Sequence, residues 1–334
     1  VISNGRNYRL QRRSQNYEPY GYTDDNSHPG IPLPTFLRDA PFPRASVAKA
    51  YEQIEADLNA AISGLPSENG VYATSHAAKA LLAQVHFLKQ EWQQAANLAT
   101  EVIDSGEFTL EQPESDSAFV TMRLPIGSSS SETIFGAYST LSTNDNRTDQ
   151  FVQWWQPTAN PEISLTTDFW NWFQQIAPGA NEDRRALWLV NQPTEGKALL
   201  TRFNEHSFFN VPLIHLTQLM LIRAECHGEL GSNLGQAADD LNAIRNRAGI
   251  TSAVYLLGPD ATAADVITAA RHEYRKETLG MGLWVEQLQR RGTMGEDILI
   301  RNAPWDCPGM ALQFSAGTQT SPQPKSIPIS ISSI

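Results

Sequence analysis

Alanine pairs at helical spacing restrict this chain to closely packed helical hairpins. From Ser75 onward, Ala77, Ala78, Leu81, Leu82, Val85 and Leu88 recur with the period of an α-helix. A second run follows with Trp92, Ala95, Ala96, Leu98, Ala99, Val102 and Ile103, and Gly106 is expected to end it. Small side chains at the contact positions let two helix axes approach. The connection at Lys89–Glu91 is so short that the two helices must be antiparallel neighbours.

A similar pair recurs at 212–249, where Leu216, Leu219, Met220, Ile222 and Ala224 precede Gln236, Ala237, Ala238, Leu241, Ile244 and Ala248. Gln94-Ala95-Ala96 thus reappears as Gln236-Ala237-Ala238, at a separation far beyond the ~34-residue period of tandem tetratricopeptide arrays. The two hairpins are therefore read as separated by a long insertion. Ahead of the first, Tyr51, Ile54, Leu58, Ala61 and Ile62 predict another amphipathic helix, with Ser46 as its N-cap and Pro66 forbidding continuation. Further helices are predicted from about Thr262 to Leu279 and around Trp284–Arg291. Residues 1–45 and the last forty read as loop and extended chain, and 107–211 as mostly loop with short helices and one strand pair.

Of 334 residues, 36 are Asp or Glu and 25 Lys or Arg, a net charge of −11 that opposes attraction to nucleic-acid phosphates. No apolar run approaches the ~18 residues that span a bilayer as a helix, and Val1–Leu10 lacks the apolar core of a secretory signal. Only 18% of residues are charged, while eight Trp accompany abundant Ser, Thr, Asn and Gln, so the surface reads as neutral-polar with aromatics. Cys226 falls in a helical pattern as a small buried residue, and neither it nor Cys307 has metal-site spacing.

Motifs for catalysis are missing: there is no GxSxG, HExxH, GxGxxG or P-loop. Paired carboxylates of a glycan hydrolase can lie far apart in sequence, and Glu114, Asp116, Asp168, Glu182 and Asp183 are available for that alternative. Asp24-Asp25-Asn26 and Asn144-Asp145-Asn146 are oxygen-rich triplets without the Gly and distal Glu of a calcium loop, and are read as Asx-turns. His86, His215 and His227 fall in helical stretches and are read as packed or surface side chains. The aromatics offer a ligand surface, because an indole face stacks on the C–H face of a sugar ring while amides and carboxylates pair with its hydroxyls. Trp154 and Trp155 lie beside Gln153 and Gln156 and shortly after Asn144, Asp145, Asn146, Arg147, Asp149 and Gln150. In Phe169-Trp170-Asn171-Trp172-Phe173 the spacing suggests that at least one Trp is core, and Trp92 is read as packing.

Five stretches in order resemble the SusD/RagB family of outer-membrane nutrient-binding lipoproteins. They are Pro43-Arg44-Ala45-Ser46-Val47 with Tyr51 to Ala61, the hairpin Ala77–Ile103, Glu132-Thr133-Ile134-Phe135, the run Ile222-Arg223-Ala224-Glu225 through Arg247-Ala248-Gly249, and Glu273, Arg275, Glu277, Gly282-Leu283, Leu288, Arg290 and Gly292. Met281, Trp284 and Gln287 depart from the family pattern, which usually has Glu, Arg and Asp there. The lipoprotein signal and additional helical region usual in the family are missing before Val1, so the chain reads as N-terminally truncated.

The resemblance implies a mostly α fold: tetratricopeptide-like helical hairpins in a SusD-like α-α superhelix, carrying a long loop-rich ligand-binding face. It divides the chain into a partial N-terminal helical region, 1–112, and a C-terminal region, 113–334, containing the loop-rich insertion. It implies a surface-exposed, lipid-anchored protein of the outer membrane that captures an oligosaccharide and passes it to a SusC-type TonB-dependent transporter. Neither catalytic residues nor a metal or cofactor are expected. The residues expected to bind ligand are Tyr20, Tyr22, Asn144, Arg147, Trp154, Trp155 and Trp170, with stacking on one or two exposed aromatics supplying most of the affinity. A protein-binding helical scaffold is the third reading, beside capture and hydrolysis.

Overall fold

The computed structural model describes residues 19–34, 42–111, 130–138, 163–175, 182–192, 194, 196–202 and 210–293. They contain eight α-helices and seven short strands. Strands β1 (Pro29–Pro32) and β2 (Arg44–Ser46) pair antiparallel ahead of helix α1 (Val47–Gly64). Ser46 caps α1 as its spacing predicts, its Oγ accepting from the Lys49 amide at 3.2 Å. Leu65 leaves the helix in extended conformation because Pro66 follows. Val47, Ala50, Tyr51, Ile54, Leu58 and Ala61 bury one face of α1.

Helices α2 (Ser75–Leu88) and α3 (Trp92–Ile103) form the expected hairpin, turning through Gln90 in the left-handed region at φ +64°. Trp92 packs edge-to-face on Phe87 with ring centroids 5.7 Å apart. Strand β3 (Thr133–Ala137) comes next, then β4 (Leu165–Thr166) and α4 (Thr167–Gln174). A 3-10 turn (Arg184–Trp188) leads into β5 (Leu189–Gln192) and β6 (Lys197–Leu200), and β7 (Val211–His215) closes the insertion. Helices α5 (Leu216–Leu230) and α6 (Leu234–Arg247) are the second hairpin. Helix α7 (Ala263–Glu277) starts at a capping box between Thr262 and Asp265, and α8 (Trp284–Thr293) is the last described element.

Leu216–Gly228 of α5 is buried around its whole circumference, which makes α5 the centre of the fold, in contact with α2, α3, α6 and α7. Cys226 is buried there as a free thiol. Gly228 is where α5 and α7 approach most closely among the described glycines: a Cβ there would stand 2.6 Å from Ile267 Cγ1 and 3.3 Å from the Ala263 carbonyl.

Two expectations are corrected. Residues 212–215, read with the second helical pair, form strand, because Pro212 cannot sit inside a helix and β3 supplies an antiparallel partner, Thr133 opposite His215 and Ala137 opposite Val211. His215 accordingly ends a strand rather than lying within a helix. The insertion also holds more sheet than one pair, since β4, β6 and β5 make a three-stranded antiparallel sheet, and β1 and β2 pair in the region read as loop. These strands have two to five residues, too few for a period-2 signal.

The insertion is fastened to the helices by buried charge. Arg185, only 1% exposed, meets both oxygens of Asp183 at 2.8 and 3.0 Å, Glu277 at 2.8 Å and Glu273 at 2.7 Å. Lys276 Nζ donates to Asp183 at 2.8 Å, and Arg245 Nε to Glu273 at 2.9 Å. Arg247 joins Glu277 to Glu132, and Glu132 lies 3.1 Å from His215 Nε2. Arg202 donates to the carbonyls of Glu277 and Leu279 at 2.7 and 3.0 Å while lying over the Trp188 ring. Burial pushes the Glu273 and Glu277 carboxyls up, but the surrounding Arg charges outweigh it and hold both at about 2.

Two measurements check this packing. Gly228→Ala is expected to destabilise by about 1–3 kcal/mol in urea unfolding, since Ile267 and the α7 backbone must move apart. Glu277→Gln is expected to cost about 3–5 kcal/mol by leaving buried cations short of a partner. Because Glu273 and Glu277 sit below the ordinary carboxylate value of 4.5, their stabilising contribution is complete above it and is lost as pH falls from about 4.5 toward 2. The wild-type unfolding midpoint should be flat near neutrality and decline through that window, and the decline should be shallower in Glu277→Gln.

Candidate functional site

Tyr20 and Tyr22 stand on a loop pinned to the N-terminal end of α1. The Ala48 amide donates to the Asn26 carbonyl at 2.9 Å and the Val47 amide to the His28 carbonyl at 3.0 Å. Asn26, buried and left-handed at φ +52°, accepts from the Gly21 amide through Oδ1 at 2.6 Å. Asp25 accepts from the Ser27 amide at 3.0 Å and from Thr23 Oγ1 at 3.2 Å, the Asx-turn expected of this triplet. The Ser27 bond chiefly holds the Asp25 carboxyl below its ordinary value. Tyr20 is half-buried on the core, its ring centroid 4.9 Å from that of Tyr51, with Lys89 Nζ 5.7 Å from it. Tyr22 is half-buried edge-to-face against His28 at 5.1 Å. Tyr20 therefore fastens this loop to the core, while Tyr22 packs on the buried His28.

Trp170 lies on α4, far from that loop in packing terms, since it flanks a separate cluster of Phe169, Phe173, Trp188, Leu200 and Leu279. The structure does not bring Tyr20 and Tyr22 onto the cluster that holds Trp170. The expectation that a Trp of this segment is core is also corrected: Phe169 and Phe173 are the buried residues, and Trp170 and Trp172 are both half-buried beside them. Two buried positions four apart fill the single inward stripe available to an eight-residue helix. Asn144, Arg147, Trp154 and Trp155 lie outside the described residues.

Sequence reading missed a ledge where α4, α7 and α8 meet. The Arg275 guanidinium carbon lies 4.2 Å from the Trp172 ring centroid, 5.0 Å from Phe169 and 5.2 Å from Trp284. Arg291 lies over the other participant, 4.9 Å from Trp284, and His272 meets Trp172 edge-on at 5.6 Å. Trp172, Arg275 and Trp284 are each half-buried, and Arg291 is buried. The available signal was Trp284 itself, an indole where the resembled pattern has a charge.

The carboxylates offered for hydrolysis divide sharply. Asp183 is buried and tied to Arg185 and Lys276, whose charges overcome the effect of burial and lower its carboxyl, so it cannot serve as an acid. Asp168 is exposed on the first turn of α4, Glu182 is half-buried, and Glu114 and Asp116 lie outside the described residues. One group has metal-like geometry: Glu55, His86 and Glu91 place ligand atoms within 4.8 Å of one another. Lys89 Nζ lies 2.6 Å from Glu55 and 2.7 Å from Glu91, so an ammonium already supplies the positive charge there.

Comparison with known proteins gives a consistent class. The SusD family model matches residues 202–282, the stretch that contains β7, α5, α6 and α7 and most of the buried ion network. No curated protein matches the chain. Among solved structures, a SusD superfamily protein from Bacteroides thetaiotaomicron superposes with a TM-score of 0.73 at 24% identity, covering 87% of this chain and 66% of that one. A SusD superfamily protein from Bacteroides vulgatus gives 0.71 at 23% identity, with 90% and 67% covered. A SusD-like carbohydrate binding protein from the same species gives 0.67 at 15% identity, with 90% and 63% covered. The chain thus spans about two thirds of the length of the structures it matches. The chain is similar in fold to these SusD superfamily structures, and that fold is mostly α.

Proposed function

We propose that this chain captures a glycan at the loop-rich face beside its helical scaffold and delivers it, uncleaved, to a SusC-type TonB-dependent transporter at the outer membrane. The observation that carries this reading is the fold itself, shared over nine tenths of the chain with a SusD-like carbohydrate binding protein. No helix among the described residues is long and apolar enough to cross a membrane, which suits a protein held at the surface by a lipid anchor. Tyr22 supplies an aromatic edge on a rigid loop, Tyr20 fixes that loop to α1, Trp154 and Trp155 supply stacking faces, and Trp170 supplies another on its own, separate cluster. Asn144 and Arg147 pair with sugar hydroxyls. Rigid positioning of Tyr22 through Asn26 and Asp25 keeps the entropy cost of capture low.

Affinity electrophoresis and calorimetry against a panel of plant and host polysaccharides test this directly, with reducing-sugar assays on the same mixtures. The expected outcome is retardation by at least one polysaccharide without release of reducing ends. Trp154→Ala or Trp155→Ala should weaken that binding by about 1–3 kcal/mol. Release of reducing ends that disappears in Asp168→Asn or Glu182→Gln would replace capture with hydrolysis.

A further inference from the structure

We propose that Asn69 is a site of self-modification: the Gly70 amide nitrogen attacks the carbon of its side-chain amide, and the aspartate or isoaspartate that results unpins the loop joining α1 to α2. This goes beyond ligand capture and does not rest on it. The loop, residues 65–74, is fastened at its base by the Ser75 amide, which donates to the Pro66 carbonyl at 2.9 Å. Its tip is a turn in which the Tyr72 amide donates to the Asn69 carbonyl at 3.0 Å, and Asn69 Nδ2 donates to the Ala73 carbonyl at 2.9 Å. Ala73 is buried and precedes Thr74, the N-cap of α2, so the Asn69 side chain ties the exposed tip to the start of the helix. Val71 and Tyr72, 55% and 60% exposed, ride on that tip.

The reacting groups are open. Gly70 is exposed at φ +57°, its amide makes no hydrogen bond among the described residues, and nothing lies within 4 Å of where a Cβ would stand. Its nitrogen thus meets Asn69 Cγ without a side chain to crowd the attack, and the backbone freedom of glycine lets the turn rotate to bring the two together. The bond to Ala73 engages only Nδ2, the atom that leaves, so Cγ stays open. Asparagine amides are chemically labile. In the step, the Gly70 nitrogen gives up its proton and bonds to Asn69 Cγ; the Cγ–Nδ2 bond breaks, and Nδ2 departs with a proton as ammonia, leaving a succinimide ring. Water then adds across one of the ring C–N bonds. Opening at Cγ gives aspartate, and opening at the backbone carbonyl gives isoaspartate, whose main chain runs through the former side chain. Aspartate sets an ionised acceptor, in place of the amide donor, against the Ala73 carbonyl, and isoaspartate also turns the carbonyl that accepts from Tyr72 into a carboxylate off the main chain. Among the described asparagines only Asn69 is followed by glycine; the other such pair, Asn4-Gly5, lies outside the described residues.

The test ages the intact chain in mildly alkaline buffer and maps its peptides by mass, with a free peptide of residues 66–74 as the clock. Asn69 is expected to convert to a mixture of aspartate and isoaspartate at least about tenfold faster than any other described asparagine, a barrier difference of about 1.4 kcal/mol. Conversion should slow in mildly acidic buffer, where the Gly70 nitrogen keeps its proton, and should be absent over the same period in Asn69→Gln, whose longer side chain closes a ring less readily. A chain converted at Asn69 carries one negative charge more than the fresh chain and separates from it by ion exchange. That form, and Asn69→Asp, should be cut by chymotrypsin after Tyr72 about fivefold faster than the fresh chain, because losing the bond to Ala73 makes local opening easier. An Asn69 that stays intact while the clock peptide converts would overturn the proposal, as would conversion no faster than at the other described asparagines, or conversion that leaves cleavage after Tyr72 unchanged. The ageing experiment needs no variant, so it decides even if a substitution disturbs the loop.

Discussion

A single buried guanidinium, Arg185, gathers three carboxylates that belong to different parts of the chain. Burying charges is costly, and the cost is met only while every partner stays in place. Asp183 and Arg185 come from the insertion, Glu273, Lys276 and Glu277 from α7, Arg245 and Arg247 from α6, and Glu132 and His215 from the ends of β3 and β7. Pulling any one of these elements away strands an uncompensated charge in a water-excluded interior. The insertion is thus part of the core, even though its own strands are too short to be stable alone.

A second set of ion pairs closes the other side. Glu225 on α5 accepts from Arg271 on α7 and from Arg290 on α8, each at 2.8 Å. Arg290 also lies over Phe87, 4.1 Å from its centroid, and so draws α8 against the first hairpin. Arg223 joins α5 to α6 through Asp240 at 2.7 Å. These contacts set where α8 and its Trp284 stand. Helix α7 thus carries the charge network on one side and packs Arg275 on the aromatic rings of α4 and α8 on the other.

The helices were readable because they are long, periodic and capped: Ser46, Thr262 and Pro66 act in the structure as their chemistry predicts. The strands were not, since β3 finds its partner only in β7, and nothing in either short segment announces the other. Arg223, Glu225, Arg245, Arg247, Glu273 and Glu277 were visible as a recurring pattern, but their purpose was hidden because Arg185 and Asp183 lie outside it. Asp183 read as a free carboxylate for the same reason. Of the candidate site, the Asx-turn at 24–26 was legible from local chemistry. The separation of Tyr20 and Tyr22 from the Trp170 cluster, and the meeting of Trp172 with Arg275 and Trp284, depend on tertiary packing that no local signal carries.

Native-state hydrogen exchange tests the central claim most directly, by following amides of the 3-10 turn and β6 together with those of α5, α6 and α7. If the ion network makes insertion and helices one cooperative unit, these amides exchange with a common opening free energy, and Arg185→Met lowers all of them together. Exchange of residues 184–200 at a much lower free energy than α5 to α7, with the helices untouched by Arg185→Met, would show that the insertion is an appendage and contradict the account.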